Sequence, residues 1–219
     1  MTSEHWNATD EYLETHLIGE DVAPAKALVA QHDAGLPNIA VSPTQGKLLA
    51  VLARSTGARR TLEFGTLGGY SALWIARALP PDGHLVTFEL SEHHATVARN
   101  NLDEAGVGHK VTIRVGPAVD NFSTLAEDEP FDLVFIDADK PNNEHYYEAA
   151  MTRVNPGALI IVDNVVREGQ IADPAQNDPD VTGSRAVIER IAADPRVEAT
   201  VIQTVGRKGH DGMVLATVL

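Results

Sequence analysis

Apolar positions change their spacing several times along the chain, and those changes divide it into elements. Up to residue 57 the period is helical. Val22, Ala25, Ala27, Leu28, Val29 and Ala30 recur over Val22–His32 before Leu36-Pro37-Asn38 interrupts them. Ser42-Pro43 with Gln45 forms a helix start, with a hydroxyl to cap and proline at the first helical position, where its missing N–H is no loss. Leu48, Leu49, Val51 and Leu52 give that helix an apolar face, and Gly57 closes it.

From Thr61 onward, short apolar runs alternate with helical stretches. Thr61–Gly65 reads as a strand and Ser71–Leu79 as a helix. His84–Leu90 is a strand, Glu92–Ala105 a helix closed by Gly106, Lys110–Val115 a strand, and Ala118–Leu125 a short helix. Phe131–Asp137 and Ala158–Asp163 are nearly continuous apolar runs, as expected of strands covered on both faces. Asn143–Val154 is helical, with Asn155-Pro156-Gly157 a turn after it. Repeated βα units of this length predict an α/β fold with a mostly parallel sheet and helices on both faces. Val165–Asp180, with Gly169, Pro174 and Pro179, reads as a long loop, and Thr182–Ala193 as a helix. Val197–Val205 and Met213–Leu219 are strands joined by the turn Gly206–Gly212, too short for a helical crossover, so they pair as an antiparallel hairpin. Without repeats or linkers, one domain over residues 1–219 is expected, with residues 1–57 as a helical cap.

Composition narrows the function. A formal net charge of −14 argues against nucleic acid and anionic membranes as partners. The absence of cysteine removes disulfides and thiolate chemistry. No leader and no membrane-length apolar run is visible, so a cytoplasmic location is expected.

The stretch Thr61–Ala76 carries the first chemical signal. A strand, a glycine turn at Gly65 and Gly68-Gly69, and a helix make the first half of a nucleotide-binding unit. The dinucleotide fingerprint has glycine two residues before Gly65, where a pyrophosphate approaches the backbone. Glu63 stands there instead. A carboxylate repels phosphate and suits a cationic nucleotide derivative such as S-adenosylmethionine. Further acids fall at strand ends. Glu89 stands 24 residues after Gly65, where a carboxylate accepts from ribose hydroxyls, although it also reads as a solvated charge ahead of a helix. Asp137 follows one buried strand; Asp163 and Asn164 follow the next. Their oxygens suit Mg²⁺, or another divalent cation such as Mn²⁺ or Ca²⁺. The plainer reading is that both aspartates cap the helices after them.

These residues resemble the cation-dependent O-methyltransferases, the group that holds catechol and caffeoyl-CoA O-methyltransferases. The resemblance runs from about Val41 to the C-terminus. It rests on LEFGTLGGYSALWIA, VTFEL, VGPA, FDLVFIDADK, IIVDNV and GRKGHDG. It implies a class I methyltransferase (Rossmann-like) fold: a seven-stranded sheet with an antiparallel last strand and extra N-terminal helices. By the same resemblance, Glu63, Gly65, Thr66 and Ser71 hold the methionine part of S-adenosylmethionine. Glu89 holds the ribose, Ala118 lies at the adenine, and Val41 contacts the cofactor. Asp137, Asp163 and Asn164 match the metal ligands, Lys140 matches the general base, and a homodimer is the expected assembly.

The reaction implied is methyl transfer to one hydroxyl of a vicinal dihydroxy-aromatic acceptor. The first 40 residues hold one basic residue, Lys26, against seven acids, which favours an uncharged or weakly charged acceptor over a polyphosphate thioester. Two other classes stay open at this level. One is a nucleotide-dependent oxidoreductase on a similar sheet, against which Glu63 and the lack of a Tyr-x-x-x-Lys pair at Tyr146 and Tyr147 weigh. The other is a non-catalytic S-adenosylmethionine-binding module.

Overall fold

The alternation of apolar runs and helical stretches becomes seven strands and eight α-helices in the computed structural model, which describes residues 3–125 and 129–219. Three helices come first: α1 (Ser3–Leu17), α2 (Val22–Asp33) and α3 (Pro43–Ser55). The first two residues of the expected helical cap lie outside the described residues. Then follow β1 (Arg60–Phe64), α4 (Tyr70–Ala78), β2 (His84–Glu89), α5 (Glu92–Glu104), β3 (Val111–Val115) and α6 (Ala118–Phe122). The second half holds β4 (Phe131–Ile136), α7 (Asn143–Met151), β5 (Val154–Asp163), α8 (Pro179–Ala192), β6 (Val197–Gly206) and β7 (Gly209–Val218).

The strands form one sheet in the order β3-β2-β1-β4-β5-β7-β6. β1 to β5 pair in parallel, and β7 runs antiparallel to both β5 and β6. Strand order reverses between β1 and β4, and the crevice outside the carboxyl ends at such a reversal is where open α/β sheets bind ligands. Alternation along β4 supplies both faces: Leu133 and Phe135 join a core with Leu49, Leu73 and Ile75, while Val134 and Ile136 join another with Phe64, Tyr147 and Val187. The buried runs of β4 and β5 behave as their patterns predict, and Leu48, Leu49 and Leu52 pack on the core, but Val51, expected on the same helical face, turns outward and is exposed.

Several boundaries differ from the sequence reading, among them α6, which ends at Phe122 instead of Leu125. Helix α7 stops at Met151, and Asn155-Pro156-Gly157 lies within β5 instead of forming a separate turn. Phe131 pairs with Val154, and Leu133 next pairs with Leu159, so β5 bulges outward between those rungs. A bulge accommodates a proline that cannot donate to the ladder and Gly157 at φ +83°. The hairpin turn is only Arg207-Lys208, because β6 and β7 stay paired from Val197–Val218 down to Gly206–Gly209. β6 is an edge strand with its residues largely exposed, so polar positions there pair without desolvation cost. Finally, the expected loop after Asp163 contains a kinked 3₁₀ segment, Arg167–Ala172, and α8 begins earlier, at Pro179, behind the capping carboxylate of Asp178.

Helix α8 sets the position of one functional turn. Gly183 faces the backbone of Lys140-Pro141, and a Cβ at that glycine would lie 2.3 Å from the Lys140 carbonyl oxygen. Alanine is the better helix former by about 1 kcal/mol, but backbone cannot retract as a flexible side chain can, and overpacking costs about 1–3 kcal/mol. Packing wins, so Gly183→Ala is expected to lower Tm by a few degrees in thermal unfolding. An unchanged or raised Tm would show slack between α8 and the Lys140 turn.

Candidate active site

Three neighbouring strands bring the predicted acids to one edge. Phe64 pairs with Ile136, and Ile136 pairs with Val162, so Gly65 and Asp137, just beyond β1 and β4, lie beside Asp163, the last residue of β5. The Asp137 N–H donates to the Phe64 carbonyl at 2.9 Å, and Gly65 N–H donates to the Phe88 carbonyl at 3.0 Å. Gly65 has φ +96°, and a Cβ there would lie 2.1 Å from the Asp137 carbonyl oxygen. The turn therefore needs glycine both for its backbone angle and for this close approach.

Glu63 is fully buried. Its two carboxylate oxygens accept from Ser71 Oγ and Thr87 Oγ1, each at 2.6 Å, and Thr87 shares a 2.6 Å bond with Thr66. Burial pushes Glu63 up to about 7, those two hydroxyls oppose the shift, and the charges of Asp137 and Glu89 add to it. Ser71 thus meets Glu63 directly and Thr66 reaches it through Thr87, and the four make one polar network under the glycine turn.

Glu89 is buried rather than solvated. One oxygen accepts from Leu67 N–H at 2.7 Å and the other from Ser91 N–H at 2.9 Å, with His94 Nδ1 at 3.3 Å. Leu67 has φ +49°, an unusual angle for its side chain, and the Glu89 bond holds it there. Gly116 N–H donates to the Glu89 carbonyl at 2.9 Å, which brings Pro117 and Ala118 to the same corner. Sequence reasoning placed Glu89 by its spacing; its hold on the turn is visible only in three dimensions.

At the other side of the reversal, Lys140 is buried and its Nζ lies 2.9 Å from Asp137 Oδ1. Asp163 is buried; its Oδ1 accepts from Asn164 N–H at 2.8 Å and its Oδ2 from Gln45 Nε2 at 2.5 Å. Burial and the neighbouring charge of Asp137 hold Asp163 well above the usual carboxylate range, against the pull of Lys140. Asn164 adopts φ +55°, and its carbonyl accepts from Ser184 Oγ at 3.4 Å. Val41 is buried just before Ser42, which caps α3 by accepting from Gln45 N–H. The structure thus draws Asp137, Lys140, Asp163 and Asn164 together, and groups Glu63, Gly65, Thr66, Ser71, Glu89 and Ala118 around the glycine turn.

Two residues near Asp163 were not among the site residues the sequence pointed to. Gln45 counted only as part of a helix start. Lys208 lies in the β6–β7 turn, and its ammonium donates to the Ala40 carbonyl. Its one sequence signal was a place in the GRKGHDG run. No group of three or more His, Cys, Asp or Glu among the described residues is arranged to hold a metal ion. The candidate oxygen set is two carboxylates and one amide, and their chemistry fits a hard divalent cation. It would relieve the repulsion between Asp137 and Asp163 while leaving coordination positions for water or substrate.

Known proteins match this chain over nearly its whole length. A family profile described as O-methyltransferase matches residues 22–218. A catechol O-methyltransferase of Mycobacterium tuberculosis is 50% identical over 209 residues, covering 95% of this chain and 94% of that protein. The structure of an O-methyltransferase from Bacillus cereus in complex with SAH superimposes with a TM-score of 0.97 at 48% identity, over 100% of both chains. One from Streptomyces achromogenes in complex with SAM gives 0.95 at 49% identity, over 100% of this chain and 99% of that one. The expected class I methyltransferase fold is borne out. No helix among the described residues is long and apolar enough to cross a membrane.

The buried Glu63 gives a pH prediction. Between the ordinary 4.5 and about 7 the unfolded chain releases this proton while the folded chain keeps it, so Glu63 lowers stability as pH rises through that window. Glu63→Gln removes the titration and leaves a group that Ser71 and Thr87 can still bond. In ligand-free, chelated protein, the Tm of the variant relative to wild type is expected to rise from pH 5 to pH 8. An equal difference at both pH values would mean that Glu63 ionises in the fold as freely as in water.

Proposed function

The chain belongs to the O-methyltransferase family and is an S-adenosylmethionine-dependent enzyme, and we propose that it methylates one hydroxyl of a vicinal dihydroxy-aromatic small molecule with a divalent cation at Asp137, Asp163 and Asn164. The observation that carries this reading is the placement of Asp137, Lys140 and Asp163 together beside the glycine turn. An oxidoreductase would present glycine where Glu63 stands, and a mere binding module would have no use for a buried lysine paired to a strand-end aspartate. The name of the Mycobacterium tuberculosis relative supports an aromatic diol as acceptor.

Each residue has a distinct task. Glu89 accepts from the ribose hydroxyls of the methyl donor, and the turn it braces orients the α4 N-terminus toward the nucleotide. Glu63, Thr66 and Ser71 form the polar wall beside the methionine part, Val41 closes the cofactor side, and Ala118 lies against the adenine. A cation bound at the aspartates would supply Lewis acidity to a hydroxyl beside it. Lys140 takes the hydroxyl proton. A base here must act as the neutral amine, and the Asp137 carboxylate, 2.9 Å away, positions the Lys140 Nζ at the strand end. The freed oxygen attacks the methyl carbon, the carbon–sulfur bond breaks, and SAH leaves with the electron pair on sulfur. Most of the acceleration comes from holding oxygen and methyl group in line and from placing opposite charges in a site shielded from water.

Metal dependence is the direct check: chelator is expected to abolish turnover of a catechol, and Mg²⁺ to restore it. Full turnover by metal-free protein would remove the cation from the reading. A pair of variants separates the roles of the two sides of the site. Lys140→Ala is expected to lower kcat by about 10²–10⁴-fold, the range for a lost general base, with calorimetric affinity for SAH retained. Glu89→Ala is expected to weaken that affinity, because the ribose hydroxyls and Leu67 N–H lose their acceptor. A wild-type rate for the first, or wild-type affinity for the second, would move the base or the ribose elsewhere.

A further inference from the structure

The tip of the β6–β7 hairpin is tied over the carboxyl edge of the sheet. Arg207 N–H donates to Asp10 Oδ2 at 2.8 Å, and its guanidinium to Glu14 Oε2 at 2.9 Å, so α1 holds the tip from outside. Gly206 leaves room for this, since a Cβ there would lie 2.6 Å from Asp10 Oδ2. The stem of Lys208 is exposed, yet its ammonium turns in and donates to the Ala40 carbonyl, one residue before buried Val41. Five residues past Ala40, Gln45 Nε2 donates to Asp163 Oδ2 at 2.5 Å. The base of the same hairpin reaches the other side of that aspartate: Met213 pairs with Asp163, and Val165 N–H donates to the Gly212 carbonyl at 3.0 Å. Lys208 is thus bracketed by two connections to the Asp163 end of β5.

Its electrostatic surroundings are unusual for this chain. Desolvation holds Lys208 below the ordinary lysine range, and the charges that reach it and oppose that shift are those of Asp137 and Asp163. Among the described residues, no carboxylate lies within ion-pair distance of its Nζ, whereas Lys140 and the adjacent Arg207 are both paired. A partly desolvated ammonium held by one neutral carbonyl recovers less than a carboxylate would return. In a chain with 31 acidic residues, a mere peg for Ala40 had carboxylates to hand.

We propose that Lys208 is a specificity-determining residue of the acceptor site, receiving a single carboxylate carried by the aromatic ring of the diol. This rests on the methyl-transfer reading given above. The hydroxyls of such an acceptor go to the Asp137–Asp163 end, and Lys208, held at the Ala40 carbonyl, belongs to the same edge without ion-pairing to either aspartate. With Arg207 committed to Asp10 and Glu14, the Arg207-Lys208 turn offers Lys208 alone as an unpaired cation among the described residues, so one negative charge is matched and a polyphosphate is not.

The test compares 3,4-dihydroxybenzoate with 4-methylcatechol, using the full chain with Mg²⁺ and S-adenosylmethionine. A second arm measures calorimetric binding of 3,4-dihydroxybenzoate to the SAH-loaded protein. Wild type is expected to favour the acid. Lys208→Met, which keeps the stem, is expected to lower the acid-to-neutral ratio of kcat/KM about tenfold, the size of one charge-assisted hydrogen bond, with a matching loss of affinity for the acid. Lys208→Arg retains the preference. A ratio unchanged in Lys208→Met, whether both acceptors fall together or neither does, overturns the assignment and leaves Lys208 as a peg for Ala40. If wild type methylates neither diol, the functional reading falls. The binding arm then decides Lys208 alone: a tenfold loss of affinity in Lys208→Met sustains the anion site, and no loss removes it.

Discussion

Four carboxylates, Glu63, Glu89, Asp137 and Asp163, stand at the ends of four adjacent strands, and three of them are almost wholly buried. Charge at that density is expensive in a medium of low dielectric constant unless every oxygen finds a partner. Much of the surrounding structure supplies those partners. Hydroxyls of Ser71 and Thr87 take Glu63, backbone N–H groups of Leu67 and Ser91 take Glu89, Lys140 takes Asp137, and Gln45 with Asn164 takes Asp163. The donors come from α3, α4, β2, the glycine turn and the Lys140 turn. Helices α3 and α4 are tied to this edge by these acids as well as by the apolar core beneath them.

The same constraint explains why the site is poised for cations. Glu63 and Asp163 both sit above the usual carboxylate range because burial and neighbouring acids disfavour their charge. A ligand that brings positive charge recovers that stored cost on binding. A sulfonium at one side of the strand reversal and a divalent cation at the other would each do so. Structural demands and the proposed catalytic ones meet in Asp137, whose backbone N–H donates to the Phe64 carbonyl at the end of β1 while its side chain pairs with Lys140. Its carbonyl also presses so close to Gly65 that no other residue fits there.

The cap and the hairpin couple distant parts of the chain to this edge. α1 and the segment through Val41 cover it from the N-terminal side, and the Arg207-Lys208 tip covers it from the C-terminal side. Asp10 and Ala40 join the two across nearly the whole chain length. These ties are polar and partly exposed, so they contribute little to global stability compared with the apolar cores. Their effect is to hold Val41, Gln45 and Lys208 in fixed relation to Asp163, which is a matter of geometry more than of energy.

The sequence by itself determined the sheet, its helices and the positions of its acids. A period of two or 3.6 is a property of neighbouring residues, and a strand that ends in Asp137 or Asp163 puts that acid at the sheet edge in any parallel arrangement. The short connection between β6 and β7 likewise left only an antiparallel pairing. Local pattern could not show that β5 takes in Asn155-Pro156-Gly157 by bulging, because turn residues look the same whether or not a neighbouring strand can absorb them. Nor could it show that the hairpin zips down to Arg207-Lys208, since polar residues pair freely on an exposed edge. Only the tertiary structure brought Gln45 to Asp163, across 118 residues, and Lys208 to Ala40, across 168. Those partners are set by how the cap packs on the sheet, and side-chain contacts at such separations leave no period in the chain to read.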